Sequence, residues 1–138
     1  MDISGFFQGM SAALAGGAAA SGWTVAVIVA NVAFDGLDYN RADRQLRRVL
    51  LVAASFQAIL LGGAAVCAIF GGAIAAMVVS LLTALGFLTN VWTLAPRKGP
   101  RVTGVRENRK GKRVVAVSLT LIMTLMAAAA AVLAAMGF

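Results

Sequence analysis

Apolar residues fall along this chain in four long runs, at about residues 10–34, 49–70, 72–95 and 114–137. An α-helix rises ~1.5 Å per residue, so about 20 apolar residues cross the ~30 Å hydrocarbon core of a bilayer. Each run meets that length, and the pattern predicts four transmembrane helices. The first is Ala/Gly-rich at its start (ALAGGAAASG) and strongly hydrophobic only from Trp23 onward. The third stops at Pro96, a residue with no backbone N–H to continue a helix. The fourth ends in the weakly hydrophobic MAAAAAVLAAMG, so residues 114–126 must drive its insertion.

The stretches between the runs differ sharply. Residues 70–72, Phe-Gly-Gly, carry no charge and suit a tight turn. Residues 35–48 and 96–113 hold all twelve Lys and Arg of the chain. Arg41, Arg44, Arg47 and Arg48 lie in the first stretch. Arg97, Lys98, Arg101, Arg106, Arg109, Lys110, Lys112 and Arg113 lie in the second, against the single acid Glu107. Positive residues hold short loops on the cytoplasmic face. The expected topology therefore puts both basic loops in the cytoplasm and both termini on the outer, periplasmic side of a bacterial inner membrane.

Composition agrees. The 138 residues are 61% hydrophobic and 12% charged, whereas a soluble domain carries roughly a quarter charged residues. A net charge of +7 would suggest nucleic acid in a soluble protein. Here the loop over 96–113, which carries eight of the twelve basic residues, has no aromatic residue to stack a base, so nucleic acid is not expected as a partner. Anionic lipid headgroups are, at about 1 kcal/mol for each Lys or Arg near the leaflet. No secretory signal is expected, since Asp2 and no basic residue precedes the first run. The fold class that follows is an all-α, polytopic four-transmembrane-helix bundle forming one domain.

The chain also matches itself. A shift of 59 residues sets Ser21, Thr24, Asn31 and Val32 on Ser80, Thr83, Asn90 and Val91, all identical. A shift of 65 sets Arg47, Arg48, Val49 and Val52 on Lys112, Arg113, Val114 and Val117, with Ser55 on Thr120. Duplication of a helical hairpin would produce this, giving two tandem hairpins related by a pseudo-twofold axis along the membrane normal. Chance recurrence of small polar residues in Ala-rich helices is the competing reading.

Polar residues inside spans are the candidates for function. Ser21, Thr24, Ile28, Asn31 and Asp35 step by three or four along one face of the first helix, with Gly17 extending it, and Ala76, Ser80, Thr83, Phe87 and Asn90 do so on the third. Small and hydroxylated faces let helices approach closely in lipid. Asn31 and Asn90 are expected to face the bundle interior, because an amide unpaired in hydrocarbon costs several kcal/mol. Bonded to each other they would form an interhelical clasp; otherwise, with both stripes, they would line a polar site. Gln57, about two and a half turns into the second helix, is the deepest strong amide and fits either role.

Catalytic chemistry finds few candidates. With no His, one Cys and five acids, the sequence offers no metal-ligand cluster, no cofactor motif and no Ser with an evident base beside it. No acid lies deep in a span, and Asp35 is expected in the headgroup layer beside arginines. Cys67 reads as a packed thiol, and Trp92 and Tyr39 as an interfacial belt. The function expected is that of a non-enzymatic accessory or structural subunit, partnered by other membrane subunits or by itself. The alternative is a homo-oligomeric channel or carrier for a small anion or neutral solute.

Overall fold

The computed structural model describes residues 2–29, 31–32, 35, 39–94 and 106–138. Four helices account for nearly all of them, and no strand occurs among the described residues. Helix α1 spans Ile3–Trp23 and continues as a π-helical segment over Thr24–Val29. Helix α2 spans Tyr39–Gly71, α3 spans Ile74–Leu94 and α4 spans Arg106–Met136. Each contains a segment long and apolar enough to cross a membrane: Ile3–Val29, Arg44–Gly71, Ile74–Thr93 and Val114–Met136.

The helices close into a ring in chain order. Helices α1 and α3 each pack against both α2 and α4, which leaves α1 and α3 on opposite corners. One end of the ring gathers the α2–α3 turn, the start of α1 and the chain's last residue. There Gln8 Nε2 donates to Gly71 O at 2.9 Å, and Ala76 N–H donates to Phe138 O at 3.0 Å. Helices α2 and α4 finish in the same way. Gly72 and Gly137 adopt φ of 74° and 79°, the left-handed conformation that glycine accepts without Cβ strain. Each is followed by an N–H that folds back: Ala73 to Ala68 O at 2.9 Å and Phe138 to Leu133 O at 3.0 Å. This Schellman geometry satisfies carbonyls that the helix end would otherwise leave bare in lipid.

Side-chain size is distributed inside out relative to a soluble bundle. Ala15, Ala18, Ala54, Ala58, Ala64, Ala84, Ala127 and Ala130 build the central core with Leu61 and Phe87. Large apolar groups point outward instead: Val52 is 68% exposed, Ile59 73%, Leu85 57% and Leu125 67%. Water would penalise such a surface, and contiguous apolar patches of that kind mark a membrane or partner contact. Small interior residues let the backbones approach, so dispersion can hold the helices together where hydrophobicity cannot.

Three helix starts depart from the sequence expectation. Helix α1 begins at Ile3 rather than near residue 10, because Gln8 spends its amide on α2 and the flanking residues are apolar enough to extend the run. Helix α2 begins at Tyr39 rather than 49, and α4 at Arg106 rather than 114. Charge marks where hydrocarbon ends, not where a helix ends, and Arg, Gln, Leu and Ala all favour helix. The loops expected over 35–48 and 96–113 are thus helical in part. Arg97, Lys98 and Arg101 lie outside the described residues.

Candidate functional site

Ser11, Gln57, Ser80, Thr83, Asn90, Thr120 and Thr124 are the polar side chains buried among the described residues. They form a discontinuous column along the ring's interior, in four tiers. Nearest the basic end, Asn90 of α3 donates from Nδ2 to Thr120 Oγ1 of α4 at 2.8 Å and to Ala116 O at 3.4 Å. Thr93 Oγ1, one turn further along α3, lies 3.4 Å from Asn90 Oδ1 and donates to Asn90 O at 2.8 Å. Thr120 gives its own proton to Ala116 O at 2.8 Å, so its lone pairs are free for Asn90. A fully buried amide with both ends engaged is a clasp between α3 and α4.

The second tier is mid-span. Gln57 of α2 is fully buried and donates from Nε2 to Ser21 Oγ of α1 at 3.3 Å. Gly22 of α1 lies against it: a Cβ there would sit 3.2 Å from Gln57 Nε2 and collide with Thr124 Oγ1 of α4. Glycine is required at this position because three helices converge on one backbone. Thr124 donates to Thr120 O at 2.7 Å and Ser21 to Ala18 O at 2.9 Å, so neither hydroxyl proton is left for Gln57 Oε1. That oxygen is buried without a hydrogen-bond partner, and so is Ser80 Oγ in the next tier.

Thr83, between Asn90 and Ser80 on α3, donates to Val79 O at 2.6 Å, and Ser11 of α1, toward the opposite end, reaches Ala64 O of α2 at 2.9 Å. Hydroxyls in this column mostly bond carbonyls of their own helix, which hides polarity without activating it. Among the described residues no three His, Cys, Asp or Glu side chains gather into a metal site.

The sequence candidates divide. Gln57, Ser80, Thr83 and Asn90 are interior, Ser21 is half-buried, and Thr24 and Asn31 are exposed. The expected Asn31–Asn90 clasp does not form. Helices α1 and α3 occupy opposite corners, and Asn31 is exposed rather than interior. Asn90 turns to α4 instead. Thr24 keeps its hydroxyl on Ala20 O at 2.9 Å, which lets it face lipid at little cost. Asp35 is exposed, as are Trp23 at 55% and Trp92 at 82%.

Thr120, Thr124, Ser11 and Gln8 were not candidates from sequence, yet each bonds or crowds a neighbouring helix. A signal was present on α4, where Ala116, Thr120, Thr124, Ala127, Ala130 and Ala134 form one stripe of small residues at helical spacing. Another side of α1 carries a second such stripe, with Gly5, Gly9, Ala13 and Ala20 exposed and Gly16 half-buried. Nothing lies within 4 Å of where a Cβ would stand at Gly5, Gly9 or Gly16. No protein-family profile, curated protein or solved structure matches the chain.

Proposed function

We propose that this chain is a non-enzymatic accessory subunit of a larger bacterial inner-membrane complex, with its basic connections in the cytoplasm and both termini outside. One observation carries the reading: α1 presents a ridge of small residues outward, and nothing lies within 4 Å of where a Cβ would stand at Gly5, Gly9 or Gly16. A small-xxx-small ridge is the surface on which a second transmembrane helix can lie at close range. The buried amide clasp and the own-helix hydroxyl bonds support the same reading, since they spend interior polarity on holding the ring together.

Purification from native membranes in the mildest detergent tests it. Larger membrane subunits should co-purify with the wild-type chain and be lost from Gly9→Leu/Gly16→Leu, whose own bundle remains folded. Recovery of a lone monomer would overturn the reading. A homo-oligomeric channel or carrier is the second reading, favoured by the two unpartnered interior oxygens, Gln57 Oε1 and Ser80 Oγ. It requires solute flux in liposomes that Gln57→Leu abolishes.

The tandem-hairpin origin belongs to this proposal too. It is supported by the Schellman ends of α2 and α4 at Gly72 and Gly137, which stand at the same 65-residue offset as the sequence match between those helices.

A further inference from the structure

Where α1 turns small residues outward, α2 turns large ones, and a set of cations stands at their head. Arg41, Arg44, Arg48, Val52 and Ile59 step by three, four or seven, so they share one side of α2, and all five are exposed. Phe56 and Val66, also exposed, widen this line and carry it toward the far end of the helix. Leu46, Leu50, Ala54 and Leu61, on the other side, are buried against the ring, which fixes the outward direction of the line. Ser55, the polar residue within its apolar part, turns its hydroxyl to Leu51 O of its own helix at 3.0 Å. At ~1.5 Å per residue, Arg48 stands about 1.5 Å outside the apolar run that begins at Val49, and Arg44 about 7.5 Å. The two backbone positions therefore bracket a headgroup layer about 6 Å deep, half the difference between a ~30 Å core and a ~40–45 Å bilayer.

We propose that this side of α2 binds an anionic diacyl phospholipid, its phosphate held by Arg44 and Arg48 and an acyl chain laid along Val52, Phe56 and Ile59. The line presents positive charge and then a long hydrocarbon surface in one axial order, which is the order of such a lipid. An acidic segment in the aqueous phase would meet the cations and leave the apolar part uncovered. A partner helix would favour small residues, through which helices approach in lipid, and this side offers branched and aromatic ones. Every cation from 41 to 48 is arginine, whose fork takes two phosphate oxygens at once where an ammonium acts as a point charge. Topology needs only positive charge, so lysine would serve it equally. The α1 ridge lies on another helix, so the subunit reading and this one fail separately.

The test compares wild type with Arg44→Lys/Arg48→Lys, Arg44→Gln/Arg48→Gln and, as a control off the line, Arg47→Lys. Each goes into nanodiscs of phosphatidylcholine and phosphatidylglycerol with identical chains, after labelling has confirmed unchanged topology. Native mass spectrometry then counts the lipid retained on release. Wild type and Arg47→Lys should retain phosphatidylglycerol over phosphatidylcholine by at least ~10-fold, and the glutamine pair should show no preference. The lysine pair, with its charge intact, should fall to about 3-fold. In native membranes, a benzoylphenylalanine photo-cross-linker at position 52 should form adducts with phospholipid. No preference in wild type, or equal retention by the lysine pair, would overturn the proposal and leave only diffuse charge. Loss of the preference to excess glycerol phosphate would assign the cations to a free anion, and a protein adduct at position 52 would assign the side to a partner helix. Either result would also overturn it.

Discussion

Helices α1 and α3 carry the same polar signature, Ser-x2-Thr-x6-Asn-Val, and put it in opposite environments. On α3 it is interior: Ser80 is 0% exposed, Thr83 1% and Asn90 0%. On α1 the corresponding Ser21 is half-buried, and Thr24 and Asn31 are exposed. The face of α1 that the ring buries is Ser11, Ala15, Ala18 and Gly22, adjacent to the signature. A helix with two stripes of small residues can present either to its neighbours, and what the neighbours bring decides between them. Gln57 and Thr124 both reach toward α1, and only Gly22 leaves room for them. On α3 the neighbour brings Thr120, an acceptor at the right height for Asn90. Equal motifs thus acquire unequal roles from the helices opposite.

Substitutions can break this contrast, beginning with the glycines of α1. Gly22→Leu should be the most damaging change in the chain. It overpacks the junction of three helices and should cost about 3 kcal/mol or more, read by denaturation in mixed micelles. Gly16→Leu, on the outward ridge, should leave the monomer's stability within about 0.5 kcal/mol. Comparable losses at both sites would mean that α1 presents neither face selectively.

Asparagines give the next largest difference. Asn90→Ala removes the α3–α4 clasp and should cost about 1 kcal/mol, within the range of interhelical hydrogen bonds in membranes. Asn31→Ala should cost nothing measurable in the same assay. Thr120→Val, which keeps the shape and deletes the acceptor, should cost slightly less than Asn90→Ala and add little to it in the double variant. Smallest of all is Ser80→Ala. Its hydroxyl is buried without a partner, so removal should be neutral or slightly stabilising.

Much of the architecture was legible because hydrocarbon imposes a strict length and polarity rule on each span. The four runs of apolar residues led directly to four helices, and Phe-Gly-Gly led to the turn where Gly72 takes positive φ. Helix starts were less legible, since the end of an apolar run says nothing about whether Arg and Gln continue the helix beyond it. The interior polar residues were half legible. Periodicity gathers Ser21, Thr24 and Asn31 on one face, but no rule in a single helix says which face meets a neighbour. Knowing that α1 and α3 sit on opposite corners requires the ring itself. The Thr120 and Thr124 stripe was missed because hydroxyls in an Ala-rich helix carry a weaker polar signal than an amide does.

Cross-linking in native membranes tests the arrangement most directly, in a background where Cys67 is replaced by Ala. With a short methanethiosulfonate linker, the pair Asn90→Cys/Thr120→Cys should join rapidly and nearly completely, while Asn31→Cys/Asn90→Cys should remain unlinked within the same chain. Efficient linkage of 31 to 90 together with silence between 90 and 120 would contradict the ring and the clasp at once.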